Sequence, residues 1–273
     1  MNQAAMLESH AQKQPREGRM WRRPLIHYLV SYRRNWRGTA ISGFLVPLMF
    51  LGVMGYLLGP LVDRGTGGGI DGVEYVAFVA PGLLAAQAMQ AAVGESTFPV
   101  LAGIKWRRFY HAMLATPLGV RDIVLGHLVF VTVRIALTST VFLVVAFALG
   151  AIRSPWAVLA LPVAVLCGLA FATAVFAYSA RQTDGQGFAV LFRFAVMPLF
   201  LFSGTFFPMT QLPGWLQPVA WSTPLAHGID LSRDLSLGTP TATEAMVHVG
   251  FMLLWLIAGL ALAEWSLRHR MVR

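Results

Sequence analysis

Charge is scarce in this chain. Asp, Glu, Lys and Arg make up 12% of 273 residues, about half of what a soluble domain carries, so much of the surface faces something other than water. Cysteine is nearly absent: Cys167 is alone inside an apolar run, which excludes an internal disulfide and reads as small apolar packing. The seven histidines are scattered, with no H-x-x-x-H and no Cys/His cluster, so no metal site is expected. Only two lysines exist, Lys13 and Lys105, and neither follows a glycine. A phosphate loop of the form G-x-x-x-x-G-K-[ST] is therefore missing, and the glycine cluster Gly65–Asp71 reads as a flexible loop. Neither G-x-S-x-G nor H-E-x-x-H occurs. No catalytic residue and no bound cofactor are expected.

What is present is apolar length. Hydrophobic residues make up 56% of the chain, in continuous rather than alternating runs. About 20 apolar residues cross a hydrocarbon core as a helix, and lipid leaves no backbone group to be satisfied by solvent. The runs predict an all-α membrane protein with six transmembrane helices: Ala40–Val62, Val76–Phe98, Ile123–Leu149, Trp156–Ala180, Phe188–Phe207 and Ala245–Ser266. The first run is too long, and too far from the start, for a cleaved signal peptide.

Charge placement orients these spans. With the N-terminus inside, the inner segments 1–39, 99–122, 181–187 and 267–273 hold 16 of the 21 basic residues and 4 of the 12 acidic ones. That is a strong positive-inside bias, which places both termini in the cytoplasm of a cell-membrane protein. The net charge of +9 then reads as topology plus contact with anionic membrane lipids. Because the basic residues hug membrane ends, nucleic-acid binding is not expected.

Three segments outside the spans carry pattern. At 100° per residue, Trp21, Leu25, Tyr28, Leu29, Tyr32 and Trp36 share one face of a helix over 20–37, beside a face of Arg22, Arg23, Arg33, Arg34 and Arg37. That is the design of a helix lying in the membrane interface, able also to touch a cytoplasmic partner; residues 1–19 read as a disordered tail. In the inner loop, Lys105, Arg107 and Arg108 interleave with Trp106, Phe109 and Tyr110, followed by Met113 and a Thr-Pro stop. This predicts a short basic, aromatic helix over 103–116, suited to docking a cytoplasmic protein or to seating in the interface. Before the last span, Pro208, Pro213, Pro218, Pro224 and Pro240 with Trp215 and Trp221 predict short re-entrant helices over 208–237 at the outer surface, with Asp230, Arg233 and Asp234 facing water. They would serve as a lid or a cap.

Ionisable groups fall inside the spans at Glu95, Arg134, Arg193 and Glu264. Glu95 and Glu264 lie close enough to the inner end to reach water, and Arg193 can snorkel inward. Arg134 is deeper, about 17 Å along its helix, and predicts an ion pair with Glu95.

The stretches FVAPGLLAAQAM, FYHAMLATPLGVRDIVLG and PLFLFSGTFFPMTQLPGWLQPVAWSTPLAHGIDLSR, in this order among the spans, resemble the permeases of type-2 ABC exporters (ABC-2). The likeness covers roughly residues 20–273 and is strongest to the branch of nodulation lipo-oligosaccharide exporters, with daunorubicin-type drug-efflux permeases as near relatives. The resemblance implies two permease chains, identical or related, with substrate passing between them. A separate ABC ATPase in two copies would bind the ATP and Mg. It also implies that Lys105–Met113 is a coupling helix, Trp21–Trp36 a connecting helix and Pro208–Leu237 an outer gate. Arg193 departs from the apolar character expected at its level. A scaffold or sensor that docks a cytoplasmic protein without transport, and an ion-coupled carrier acting alone, are the other readings of the residues themselves.

Overall fold

The computed structural model describes residues 20–272 apart from Asp71, Arg153 and the side chains of 34–44, 46, 47 and 56. The expected disordered tail over 1–19, and the side chains of Arg34 and Trp36, lie outside the described residues. Among the described residues every named element is helical. An isolated bridge between Ile70 and Val73 closes the glycine-rich turn.

Helix α1 runs Arg22–Gly52 and continues through a π-helical segment, Val53–Leu58, into α2, Gly59–Thr66. The interfacial helix expected over 20–37 is thus no separate element. The stretch RRNWRGTAIS holds no proline, and its one glycine, Gly38, weakens a helix by about 1 kcal/mol without ending it. Helix α3, Tyr75–Ser96, is followed by α4, Phe98–Leu101, and a π-helical segment, Ala102–Trp106; the short α5, Phe109–Leu114, leads to α6, Val120–Ala148. A 3-10 turn, Pro155–Leu159, opens α7, Ala160–Arg181; then come α8, Gln186–Leu191, a π-helical segment, Phe192–Val196, and α9, Met197–Phe202. The outer region holds a 3-10 turn, Met209–Gln211, then α10, Gln217–Trp221, and α11, Pro224–Leu237, before α12, Ala242–Met271.

Among the described residues, four stretches are long and apolar enough to cross a membrane: Tyr75–Trp106, Val120–Ala148, Pro155–Arg181 and Ala242–Met271. They coincide with the second, third, fourth and sixth expected spans. The fifth, expected to reach Phe207, is a shorter apolar helix, Gln186–Phe202. It stops where Gly204 adopts a left-handed φ of 82°.

Helices α3 and α7 form the centre. Their small residues let backbones approach closely, as they do between membrane helices. A Cβ at Gly168 would lie 2.6 Å from the Ile135 side chain and 3.0 Å from the Ala88 carbonyl oxygen. Cys167 is fully buried, against Gly228, with its thiol donating to the Pro224 carbonyl at 3.6 Å. Around this centre, α12 packs on α7, α1 on α6, and α11 on both α3 and α7. The buried residues of α12 (His248, Met252, Gly259, Ala263, Ser266, Leu267) recur at helical spacing on one side. Its other side exposes Met246, Val247, Leu254, Ile257 and Leu262. That stripe is far too apolar for water and suited to lipid or a second subunit.

Helix α11 differs from expectation. Ten of its residues, from Pro224 to Ser236, are buried, so it is an internal element rather than a surface helix. Arg233 does not need water: its guanidinium lies 3.8 Å from the centre of the Phe78 ring and donates to the Gly204 carbonyl at 2.7 Å and the Phe78 carbonyl at 3.3 Å. The Gly204 carbonyl, in the turn just past α9, is thereby satisfied.

Candidate functional site

At one end of the bundle, the start of α1, the loop helix α5 and the start of α6 meet. Gly126 makes this possible. A Cβ there would lie 2.7 Å from Pro24 Cβ and 2.8 Å from the Trp21 carbonyl oxygen, so only glycine lets α1 rest on α6 at this point. Asp122 completes the junction: one carboxylate oxygen accepts from the Met20 N–H at 2.7 Å and the other from the Gly119 N–H at 3.1 Å, at the start of α6.

Tyr28 of α1 and Tyr110 of α5 share a hydroxyl–hydroxyl bond of 2.8 Å. Both are buried. Burial raises both phenols above their ordinary range, and for Tyr28 the neighbouring Tyr110 adds to it. Tyr28 also stacks on Phe130, with 5.2 Å between ring centres, and meets Phe109 edge-on at 6.0 Å. The loop helix is therefore pinned to α1 by its aromatic side.

This sorts the residues expected to dock a partner. Tyr110 is wholly interior and Phe109 and Met113 are half-buried, so they hold α5 in place; Lys105, Trp106, Arg107 and Arg108 are exposed. Arg108 turns the chain with a left-handed φ of 50°, alone among described non-glycine residues. That conformation costs about 1–2 kcal/mol. It ends the helical run at Trp106 and starts α5 at Phe109, six residues later than the expected start at 103. Lys105 donates to the Thr183 carbonyl at 2.7 Å, joining the loop to the turn after α7. Arg270 reaches the same turn through the Ala180 carbonyl at 2.9 Å and the Gln182 carbonyl.

On α1, Trp21 and Tyr32 are half-buried while Arg22, Arg23 and Arg33 are exposed, so the described part of the cationic face is free of the bundle. Glu95 and Arg134 meet: Nε donates to Oε1 at 2.9 Å, and the guanidinium sits 4.6 Å from the centre of the Tyr32 ring. Glu264 pairs with Arg121 at 3.3 Å rather than reaching water alone. Arg193 is exposed, on the π-helical segment between α8 and α9, beside exposed Phe194 and Met197.

At the far end of the bundle, Trp215 is exposed, while Trp221 is half-buried and edges onto His227. Pro224 opens α11 and Pro213 lies in the turn before α10; Pro208 precedes the 3-10 turn. A chain of polar contacts that the sequence did not announce joins α11 to α12. His227 Nε2 bonds the Trp221 carbonyl at 2.9 Å and so carries a proton, and His227 Nδ1 faces His248 Nδ1 at 2.8 Å. His248 Nε2 lies 3.5 Å from Asp230. Burial lowers the His227 pKa, despite the Trp221 carbonyl. Next to this cluster, burial with the Asp230 and Glu244 charges pushes the Asp234 carboxyl up to about 6. The only sequence signal for the pair was a histidine, His248, near the start of an apolar span. Among the described residues no group of three potential ligands could hold a metal ion.

Comparison with known proteins decides what this bundle is. The profile of the ABC-2 type transporter family matches residues 22–237. The chain belongs to the ABC-2 type transporter family. Nodulation protein J of Rhizobium meliloti (strain 1021) is 33% identical over 253 residues, covering 90% of this chain and 94% of the relative. Nodulation protein J of Rhizobium leguminosarum bv. trifolii is 34% identical over 255 residues, covering 91% and 95%. That of Sinorhizobium fredii is 31% identical over 253 residues, covering 90% and 94%. The chain is a multi-pass membrane permease subunit of the ABC-2 type, as the resemblance of its sequence implied, and transport rather than catalysis is its class.

Proposed function

We propose that this ABC-2 permease forms the transmembrane half of an ATP-driven exporter that moves an amphiphilic molecule, a lipid-linked saccharide, a lipid or a drug, out of the cytoplasm or the inner leaflet. Two copies of a separate ABC ATPase supply the ATP and Mg chemistry, and a second permease chain completes the pathway. The chain crosses the cell membrane six times with both termini inside. The observation that carries this reading is the corner Trp106-Arg107-Arg108: exposed, cationic and aromatic, and backed by the buried Tyr28–Tyr110 bond. A corner fixed in this way transmits a push to α1 and α6 instead of absorbing it.

In this reading the ATPase contact is made by Lys105, Trp106, Arg107 and Arg108, with Arg22, Arg23 and Arg33 alongside. Phe109, Tyr110 and Met113 carry the displacement inward. Since α11 is buried between α3, α7 and α12, the outer gate moves with the bundle rather than as a lid above it. Co-purification tests the docking: an ABC ATPase is retained by the wild-type chain and lost with Trp106→Ala/Arg107→Glu. Equal retention by both would refute the assignment. Export itself is read as ATP-dependent uptake of a labelled amphiphile into inside-out vesicles. Retention of the ATPase without any such uptake would favour the scaffold reading.

A further inference from the structure

Between α1, the end of α3, the loop before α5 and α6 lies a cavity of about 470 Å³, within the range of ligand pockets. Its walls include Tyr28, Tyr32, Phe98 and Phe130, and exposed Trp106 and Arg107 stand at its edge. The polar groups among these rings are unusual. His127 also lines the cavity and is 1% exposed, yet neither of its ring nitrogens has a hydrogen-bond partner among the described residues. Arg134 spends Nε on Glu95, while its buried Nη1 has no hydrogen-bond partner among the described residues. An unmet buried polar group costs about 1–3 kcal/mol, more when charged, so two in one cavity call for a ligand rather than chance.

The two groups are seven residues apart on α6, hence on one face, and a helical side chain leans toward the N-terminus, bringing Arg134 back toward His127. Both offer N–H donors. Two arginines, Arg107 and Arg134, stand against one carboxylate, Glu95, leaving the cavity cationic. Aromatic walls favour an apolar body adjoining the acceptor.

The geometry points to a binding site for a phosphate-bearing anionic lipid, with the phosphodiester oxygens on Arg134 Nη1 and His127 and the glycerol and first acyl carbons against the rings. The site is assayed on the permease chain alone, so its fate is separate from that of the export reading.

Calorimetric titration of the full chain in neutral micelles tests it, with three probes: dihexanoyl phosphatidylglycerol, dihexanoyl phosphatidylcholine and inorganic phosphate. Saturable binding of phosphatidylglycerol is expected, at least tenfold tighter than of either other probe. Arg134→Gln and His127→Phe each weaken it about tenfold, the scale of a hydrogen bond to a charged group. Glu95→Gln tightens it several-fold by removing the competing carboxylate, a direction that no merely structural role produces. It keeps the test open should Arg134→Gln fail to fold. The inference is overturned by equal binding of phosphatidylcholine, by equal binding of free phosphate, by unchanged affinity in His127→Phe, or by weaker binding in Glu95→Gln.

Discussion

Replacing Arg134 with methionine removes one half of a largely buried ion pair. The Arg134 side chain is 11% exposed and that of Glu95 22%, with 2.9 Å between Nε and Oε1. At an effective dielectric of about 20 the attraction at this distance is about 6 kcal/mol, most of it offset by desolvation of the two ions. Losing one partner leaves the other charged and stranded, which costs about 3–5 kcal/mol. Glu95 keeps some access to water, so we expect the lower value, about 3 kcal/mol, including about 0.5 kcal/mol from the lost contact with the Tyr32 ring. Replacing both, Arg134→Met with Glu95→Met, removes the stranded charge and costs only about 1 kcal/mol. The assay is reversible denaturant unfolding of the chain in mixed micelles, run as a double-mutant cycle. A coupling energy of about 2 kcal/mol or more is expected; effects of the two single variants that add to within about 0.5 kcal/mol would refute the pairing.

Other consequences follow from the same junctions. Gly126→Val drives a side chain into Pro24 and the Trp21 carbonyl. It should destabilise by about 1–3 kcal/mol and raise hydrogen exchange across 21–30 while leaving α12 protected; unchanged exchange there would show that α1 does not rest on Gly126. Tyr110→Phe leaves the Tyr28 hydroxyl buried without its partner and should cost about 1–2 kcal/mol, whereas Tyr28→Phe with Tyr110→Phe recovers most of the loss; thermal unfolding in micelles of the three variants checks this. His227 has a folded pKa below its unfolded value, so its contribution is present above about pH 6.5 and lost as pH falls. A second proton on its Nδ1 would also set two donors face to face with His248. Protonation of Asp234, raised to about 6, acts in the opposite sense, so the comparison must be with His227→Gln: between pH 7.5 and 5.5 the wild type should lose more stability than this variant, and parallel pH profiles would contradict the account.

Periodicity and charge made much of this fold legible. Among the described residues, four of the six expected spans coincide with long apolar helices because lipid imposes continuous apolar runs that few other structures need. The Arg134–Glu95 pair was legible because a charge deep in a span must find an opposite one. The sequence misled where tertiary contacts replaced water. Arg233 reads as a solvent-facing charge, yet the Phe78 ring and two carbonyl oxygens take its place among hydration partners. Tyr110 reads as part of a docking face because an aromatic beside arginines looks exposed, while its hydroxyl is spoken for by Tyr28, 82 positions away. No local rule joins residues so distant, and none announced His227 against His248. The continuity of α1 past residue 37 is not legible because the composition changes there from cationic to apolar while the backbone meets no breaker.

Trp106, Arg107 and Arg108 are proposed to receive the movement of a separate ABC ATPase. This role is tested most directly in proteoliposomes holding the permease and its ABC ATPase, by ATP hydrolysis with and without a transported amphiphile. Stimulation of several-fold with the wild-type chain, abolished by Arg107→Glu/Arg108→Glu while the Tyr28–Tyr110 junction and thermal stability stay intact, is the predicted result. Undiminished stimulation in that double variant would contradict it.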